Sequence, residues 1–186
     1  PETIVSLHQN FVDAGADIIL TNSFGGTRHR LKLHHAQDRV FEINRRAAEI
    51  ARSVADRADR KVIVAGSVGP TGELLVPLGA LTYEDAVDAF AEQIEGLKAG
   101  GAEVAWIETM SAPDEIRAAA EAAIRVGLPY TYTGSFDTTS AKARLVGMPR
   151  PAMASLARYS RTDDRSTARP SPMREYGVSP APFNCT

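Results

Sequence analysis

The chain has 186 residues, 44% hydrophobic and 24% charged, with a formal net charge of −2. That composition supports one globular domain with a real core, leaves no basic footprint for nucleic acid, and holds no apolar run near the roughly 18 residues of a membrane span. A single cysteine, Cys185, excludes an internal disulfide framework and suits a reducing compartment, so a cytoplasmic location is expected.

Residues 2–14 predict a helix, with Ile4, Leu7, His8 and Phe11 on one face and Gly15 at the position of a C-cap. Pro1 already lies inside that pattern, so a preceding segment is expected. A strand is predicted over 17–24 (DIILTNSF), then a polar connection over 25–37 (GGTRHRLKLHHAQ). A long helix follows from Asp38 to Arg57, with Val40, Ile43, Ala47, Ile50 and Val54 at spacings of three and four. The second strand is VIVAGS, 62–67, followed by a loop with glycine and proline turn signals. Thr82 is a good N-cap, with Asp85 three residues on. The helix it opens carries Val87, Phe90, Ile94 and Leu97 inward and stops at Gly100. The third strand is EVAWIE, 103–108. Pro113 opens a helix whose first turn, with Asp114 and Glu115, complements the helix dipole. Gly127 ends that helix, and the fourth strand is PYTYTGSF, 129–136.

Alternation of this kind specifies a parallel sheet with right-handed crossovers, either an open doubly wound sheet or a closed (β/α)8 barrel. The first strand-to-helix turn lacks the G-x-G-x-x-G of a dinucleotide-binding sheet. Gly66-x-x-Gly69-x-x-Gly72 is far from its helix and reads as turn chemistry rather than a phosphate cradle. All four strands end on polar residues: Thr21-Asn22-Ser23, Gly66-Ser67, Glu108-Thr109 and Gly134-Ser135-Phe136-Asp137. Chemistry gathers at that end of the strands in a barrel. The expected architecture is therefore α/β, a partial (β/α)8 TIM-type barrel of about four βα units. Candidate mouth residues are Thr21, Asn22, Ser67, Glu108, Thr109 and Ser135.

Glu108 closes an apolar strand, so its carboxylate requires a cationic partner or protonation. A substrate ammonium and an arginine from a neighbouring loop both meet that need. Schiff-base chemistry is disfavoured, because no lysine ends a strand. His29, His34 and His35 lie in the polar connection without paired Cys or Glu and read as a solvated loop, so no metal ligand is assigned.

GADIILTNSFGGT (15–27), AGSVGPTGELLVPLGALT (65–82), WIETMSAPDEI (106–116) and TGSFDT (133–138) together resemble the homocysteine S-methyltransferase family, which includes betaine–homocysteine methyltransferases and the homocysteine module of methionine synthase. The resemblance covers residues 2–140. It implies a zinc-dependent barrel in which a homocysteine thiolate, bound to Zn²⁺ held by three cysteines, takes a methyl group from an onium or folate donor to give methionine. It implies that Glu108 fixes the homocysteine ammonium, and that Thr21, Asn22 and Ser67 line the mouth. The family's acidic first-strand motif is expected before Pro1. Its cysteine segments have no counterpart here, and Cys185 alone cannot make a three-thiolate site.

The pattern breaks near residue 140. Residues 1–140 carry 13 Lys and Arg against 20 Asp and Glu; residues 141–186 carry 8 against 3, with six of the eleven prolines. That tail reads as a non-family segment, either disordered or the product of a frameshift in a GC-rich gene. The expected partners are small molecules, homocysteine and a methyl donor, with no nucleic acid and no membrane. This copy is expected to be incomplete. The alternative is a non-catalytic half-barrel that self-associates or binds a partner through its open sheet edges.

Overall fold

The computed structural model describes residues 2–134. In chain order the elements are α1 (Glu2–Asp13), β1 (Ile18–Leu20), the short α2 (Arg28–Leu31), α3 (Val40–Ala55), β2 (Ile63–Val68), α4 (Tyr83–Ala99), β3 (Val104–Met110), α5 (Pro113–Val126) and β4 (Tyr130–Gly134). The four strands form one parallel sheet in the order β1-β2-β3-β4. Sequential parallel neighbours joined by helices are the unit from which α/β barrels are built.

Registry sorts the side chains into two faces. Leu20 lies beside Ala65, Ala65 beside Val104, Ser67 beside Trp106, and Trp106 beside Thr131. Because side chains alternate along a strand, Ile18, Leu20, Ser67, Trp106 and Glu108 share one face, and Ile19, Val64, Gly66, Ala105 and Ile107 the other. The helices cover the second face. There, a Cβ on Gly66 would lie 2.8 Å from Leu97 Cδ1 of α4. Ile19 is 2% exposed, whereas Ile18 and Leu20 on the opposite face are 40% and 36% exposed.

The helix layer is close-packed through small residues. Ala47, Ala48 and Ala51 of α3 are buried. A Cβ on Gly96 would meet the Phe41 carbonyl at 2.6 Å, and one on Gly100 would meet Ala48 Cβ at 2.7 Å. This approach explains why Ile43 and Ile50, expected on the inward stripe, are only partly buried. The inward line instead runs through Val40, Asn44, Ala47, Ala51 and Val54. In α1 the buried residues are His8 and Val12, while Leu7 and Phe11, expected inside, are 46% and 55% exposed. Both corrections are small rotations of a helix about its axis.

Caps follow local sequence. Thr82 accepts a hydrogen bond from the Asp85 N–H and donates to Asp85 Oδ2 at 2.6 Å. Gly127 ends α5 at φ 71°, a left-handed cap that glycine adopts without a Cβ penalty. At the N-terminal ends of β2 and β3, Arg52 bridges Glu103 at 2.6 Å, so the charges there serve the scaffold. Among the described residues, no helix is long and apolar enough to cross a membrane. Ser135 and the 141–186 tail lie outside the described residues.

Candidate functional site

β1 is only three residues long, shorter than the 17–24 expected from sequence, because the ladder beyond Leu20 passes from backbone to side chains. The Thr21 N–H still donates to the Ala65 carbonyl at 2.9 Å. The next rung is the Ser67 N–H, which donates to Thr21 Oγ1 at 3.0 Å. The Ser23 hydroxyl donates to the Ser67 carbonyl at 2.8 Å. That uses the one Ser23 proton, so in the 2.6 Å contact between Thr21 Oγ1 and Ser23 Oγ the threonine is the donor. The result is a closed ring: Ser67 N–H to Thr21, Thr21 to Ser23, Ser23 to Ser67 C=O. All three residues are at most 4% exposed. The polar tip of the first strand therefore grips the backbone of the second.

Gln93 reinforces the grip from α4. Its Nε2 donates to the Ser23 carbonyl at 2.8 Å and to the Ser67 carbonyl at 3.3 Å. Asn44 of α3 donates to the carbonyls of Gly26, at 2.9 Å, and Val40, at 2.8 Å. Both amides are fully buried. A side chain at Gly26 would run into Asn44 Oδ1, Gln93 Nε2 and the Ser23 carbonyl, so the chain crosses here on a bare backbone.

With its backbone fixed, Ser67 donates its hydroxyl to Glu108 Oε1 at 2.5 Å. Glu108 is partly buried, and among the described residues no Lys, Arg or His lies within salt-bridge distance of it. The arginine partner that the sequence left open is thus not among these residues. β3 carries one extra residue here: Ile107 pairs with Tyr132, but Met110 pairs with Gly134. Thr109, inside that bulge, sits at φ 62°, which is sterically unfavourable for a β-branched residue. Strain of this kind persists only where the surroundings impose it. Thr109 and Asn22 are both exposed at this end of the sheet.

The loop after β2 is tied across to the start of α5. Glu115, 6% exposed, accepts from the Thr71 N–H at 2.9 Å and from the Thr71 hydroxyl at 2.7 Å. Beyond that anchor, Leu74, Val76 and Leu78 are 64%, 58% and 84% exposed. Nearby, His29 of α2 is partly buried, and burial pushes its imidazole below the usual histidine range despite the raising influence of Glu73. His34 and His35 are exposed, as a solvated loop requires.

The structure brings together Thr21, Ser67 and Glu108, and places Thr109 and Asn22 beside them. Sequence reasoning missed Gln93, Asn44 and the clasp of Glu115 on Thr71. The available signal was a polar residue within a buried helical stripe: Gln93 between Phe90 and Leu97, Asn44 between Val40 and Ala47. Glu115 was read only as a dipole complement.

The three-thiolate zinc site has no counterpart in the described residues. They contain no cysteine and no group of three or more His, Cys, Asp or Glu able to hold a metal. These residues do not fit the metal.

The family described as homocysteine S-methyltransferase matches residues 1–165, a span running past the boundary placed at 140. The methionine synthase of Mycobacterium tuberculosis is 36% identical over 122 residues, which is 64% of this chain and 10% of that protein. The methionine synthase of Mycobacterium leprae is 34% identical over the same shares. Among solved structures, the metallated form of the homocysteine methyltransferase MmuM from Escherichia coli superposes with a TM-score of 0.62 at 26% identity. That alignment covers 86% of this chain and 60% of the other. The chain thus spans about a tenth of the length of the curated relatives it matches.

Proposed function

Because the chain belongs to the homocysteine S-methyltransferase family, we propose that its strand-tip cluster binds the amino-acid end of homocysteine for methyl transfer to sulfur, giving methionine. The observation that carries this reading is the state of Glu108. One carboxylate oxygen accepts from Ser67, and no protein cation among the described residues claims the other. A partly buried carboxylate in that condition is matched by a ligand ammonium, which supplies both charge and donors.

Ser67 is then a positioning residue for Glu108. Thr21, Ser23 and Gln93 hold Ser67 in place, and the Thr109 bulge sets the direction from which Glu108 enters the mouth. The apolar strand behind Glu108 limits the water that competes for the ammonium. The zinc ion that the family implies would favour the thiolate form of the homocysteine sulfur. The described residues contain no ligands for it and contribute substrate orientation instead.

Calorimetric titration of the chain with L-homocysteine tests the reading. Glu108→Gln keeps the shape and the acceptor for Ser67 but removes the charge, and it should weaken binding by about tenfold or more. Equal affinities for wild type and Glu108→Gln would sink the assignment.

A further inference from the structure

We infer that His29 and Glu73 form a proton-operated latch. When the His29 imidazole is protonated, the Glu73 carboxylate turns in to accept from its Nδ1–H and holds the loop after β2 down on α2. When the imidazole is neutral, the loop is released. The device needs no ligand and is independent of the function assigned to the strand-tip cluster.

The two side chains line one groove of about 310 Å³, with Arg28 of α2, Ala80 and Leu81 of the loop, and Asp85 of α4. Within it, His29 Nδ1 is buried and has no hydrogen-bond partner among the described residues. A neutral imidazole leaves one uncharged group unsatisfied there. An imidazolium carries a proton on both nitrogens, so the same position becomes a charged donor, and burying that without an acceptor is far more costly. Glu73 is the acceptor at hand. It is exposed, and among the described residues only its backbone N–H is bonded, to Thr71 Oγ1 at 3.2 Å. Asp85, the other acid of the groove, already accepts from the Thr82 hydroxyl at 2.6 Å in the cap of α4. The cations that act on His29 come from its own side: Arg28, held by Glu92 at 2.7 Å, and the exposed Lys32. Arg30 lies against Gly72 instead. Burial holds the imidazole below its ordinary 6.5, and Glu73 is the largest influence raising it. Protonation therefore still costs the folded chain, the ion pair offsets part of that cost, and the latch closes in solution more acid than pH 6.5.

The loop is able to move as a unit. The Val76 N–H donates to the Leu81 carbonyl at 2.9 Å and the Leu81 N–H to the Leu74 carbonyl at 3.2 Å, so residues 74–81 close on themselves. Buried Leu81 anchors one end. At the other, Glu115 clamps Thr71, and only Gly72, at φ 83°, and Glu73 lie between that clamp and the closed turn. Leu74, Val76 and Leu78 are exposed, so little apolar packing holds the turn in place. One added ion pair shifts such an equilibrium about twofold to fivefold.

Two measurements on the full chain test the latch. Imidazole NMR titration gives the His29 pKa in wild type, Glu73→Gln and Asp85→Asn. Glu73→Gln should lower it by about half a pH unit, and Asp85→Asn by less. Amide exchange, corrected for its intrinsic pH dependence, reads the turn through Val76, Leu78 and Leu81. Their protection should rise about twofold to fivefold from about pH 7.5 to about pH 5 in wild type, and should not rise in His29→Gln or Glu73→Gln. The latch is overturned if wild-type protection is flat or falls, or if either variant keeps the rise. It is also overturned if the two acid variants lower the pKa equally, because Glu73 is then only part of a diffuse field. Matching urea midpoints at pH 7.5 show that the variants fold. Glu73→Gln, at an exposed position, carries the test alone if His29→Gln is destabilised.

Discussion

At the scale of single residues, the cluster is a set of exact polar pairings in which each loss strands a buried partner. Thr21→Val preserves shape but leaves the Ser67 N–H without an acceptor and Ser23 Oγ without a donor. Its expected cost is about 1–3 kcal/mol, read from the urea midpoint at unchanged slope. Ser23→Ala should cost less, because the Ser67 carbonyl keeps Gln93 Nε2. The double variant should cost less than the sum, since both act on one ring. Thr109 gives an opposite sign. Thr109→Gly removes a Cβ from a left-handed position and should raise stability by about 1 kcal/mol, while loosening the bulge that aims Glu108. A midpoint that falls instead would show that Thr109 is not strained.

At the scale of elements, what the sequence revealed depended on how local the signal was. α5 is found at its expected bounds because Pro113 and Gly127 mark both ends within a few residues. β1 is much shorter than expected because what replaces its ladder is a contact with Ser67, 46 residues from Thr21. No periodicity in the first strand could announce it. The rotation of α1 has a similar origin. Leu7 and Phe11 form as good an apolar stripe as His8 and Val12, and only the packing of α1 against α3 and β1 selects between them. That choice leaves His8 3% exposed with its Nε2 unpartnered. Burial lowers its pKa from the ordinary value of 6.5, with no charged neighbour to offset it. The unfolded chain therefore binds a proton here more readily than the folded one. The stability contribution is complete above pH 6.5 and is lost as pH falls toward the depressed folded value. His29 acts in the same direction. Urea midpoints should fall between pH 7.5 and 5.5, and His8→Leu should flatten that slope. An unchanged slope in His8→Leu would contradict the buried neutral imidazole.

At the scale of the whole fold, the alternation of the long helices and the strands was legible over the described residues, and with it the partial barrel, whereas α2 was hidden in what read as a polar connection. The candidate site was legible only as a line of strand tips. Glu108 and Ser67 stood out because they interrupt apolar strands, whereas Gln93 and Asn44 were hidden inside helices whose composition announces packing. The sheet is two-faced in energy as well as in geometry. Ile19, against the helices, should cost about 2–5 kcal/mol when changed to alanine. Ile18→Thr and Leu20→Thr, on the opposite face, should each cost under about 1 kcal/mol. Comparable losses on both faces would mean that the face bearing Ile18 and Leu20 is covered as well as the one against the helices.

The ring around Ser67 has one further consequence, which concerns proton traffic. A chain of hydroxyls in an enzyme mouth is often able to run in either sense, so that a proton entering at one end releases another at the far end. Here the ring begins on a peptide N–H, which can only donate, and ends on a peptide carbonyl, which can only accept. Its polarity is locked, and it has no reversed state to switch into. Thr21 and Ser23 therefore cannot serve as a wire for acid–base chemistry, however close a reacting group comes. Any proton movement that the proposed chemistry requires must run through other groups, and these two hydroxyls act as fasteners.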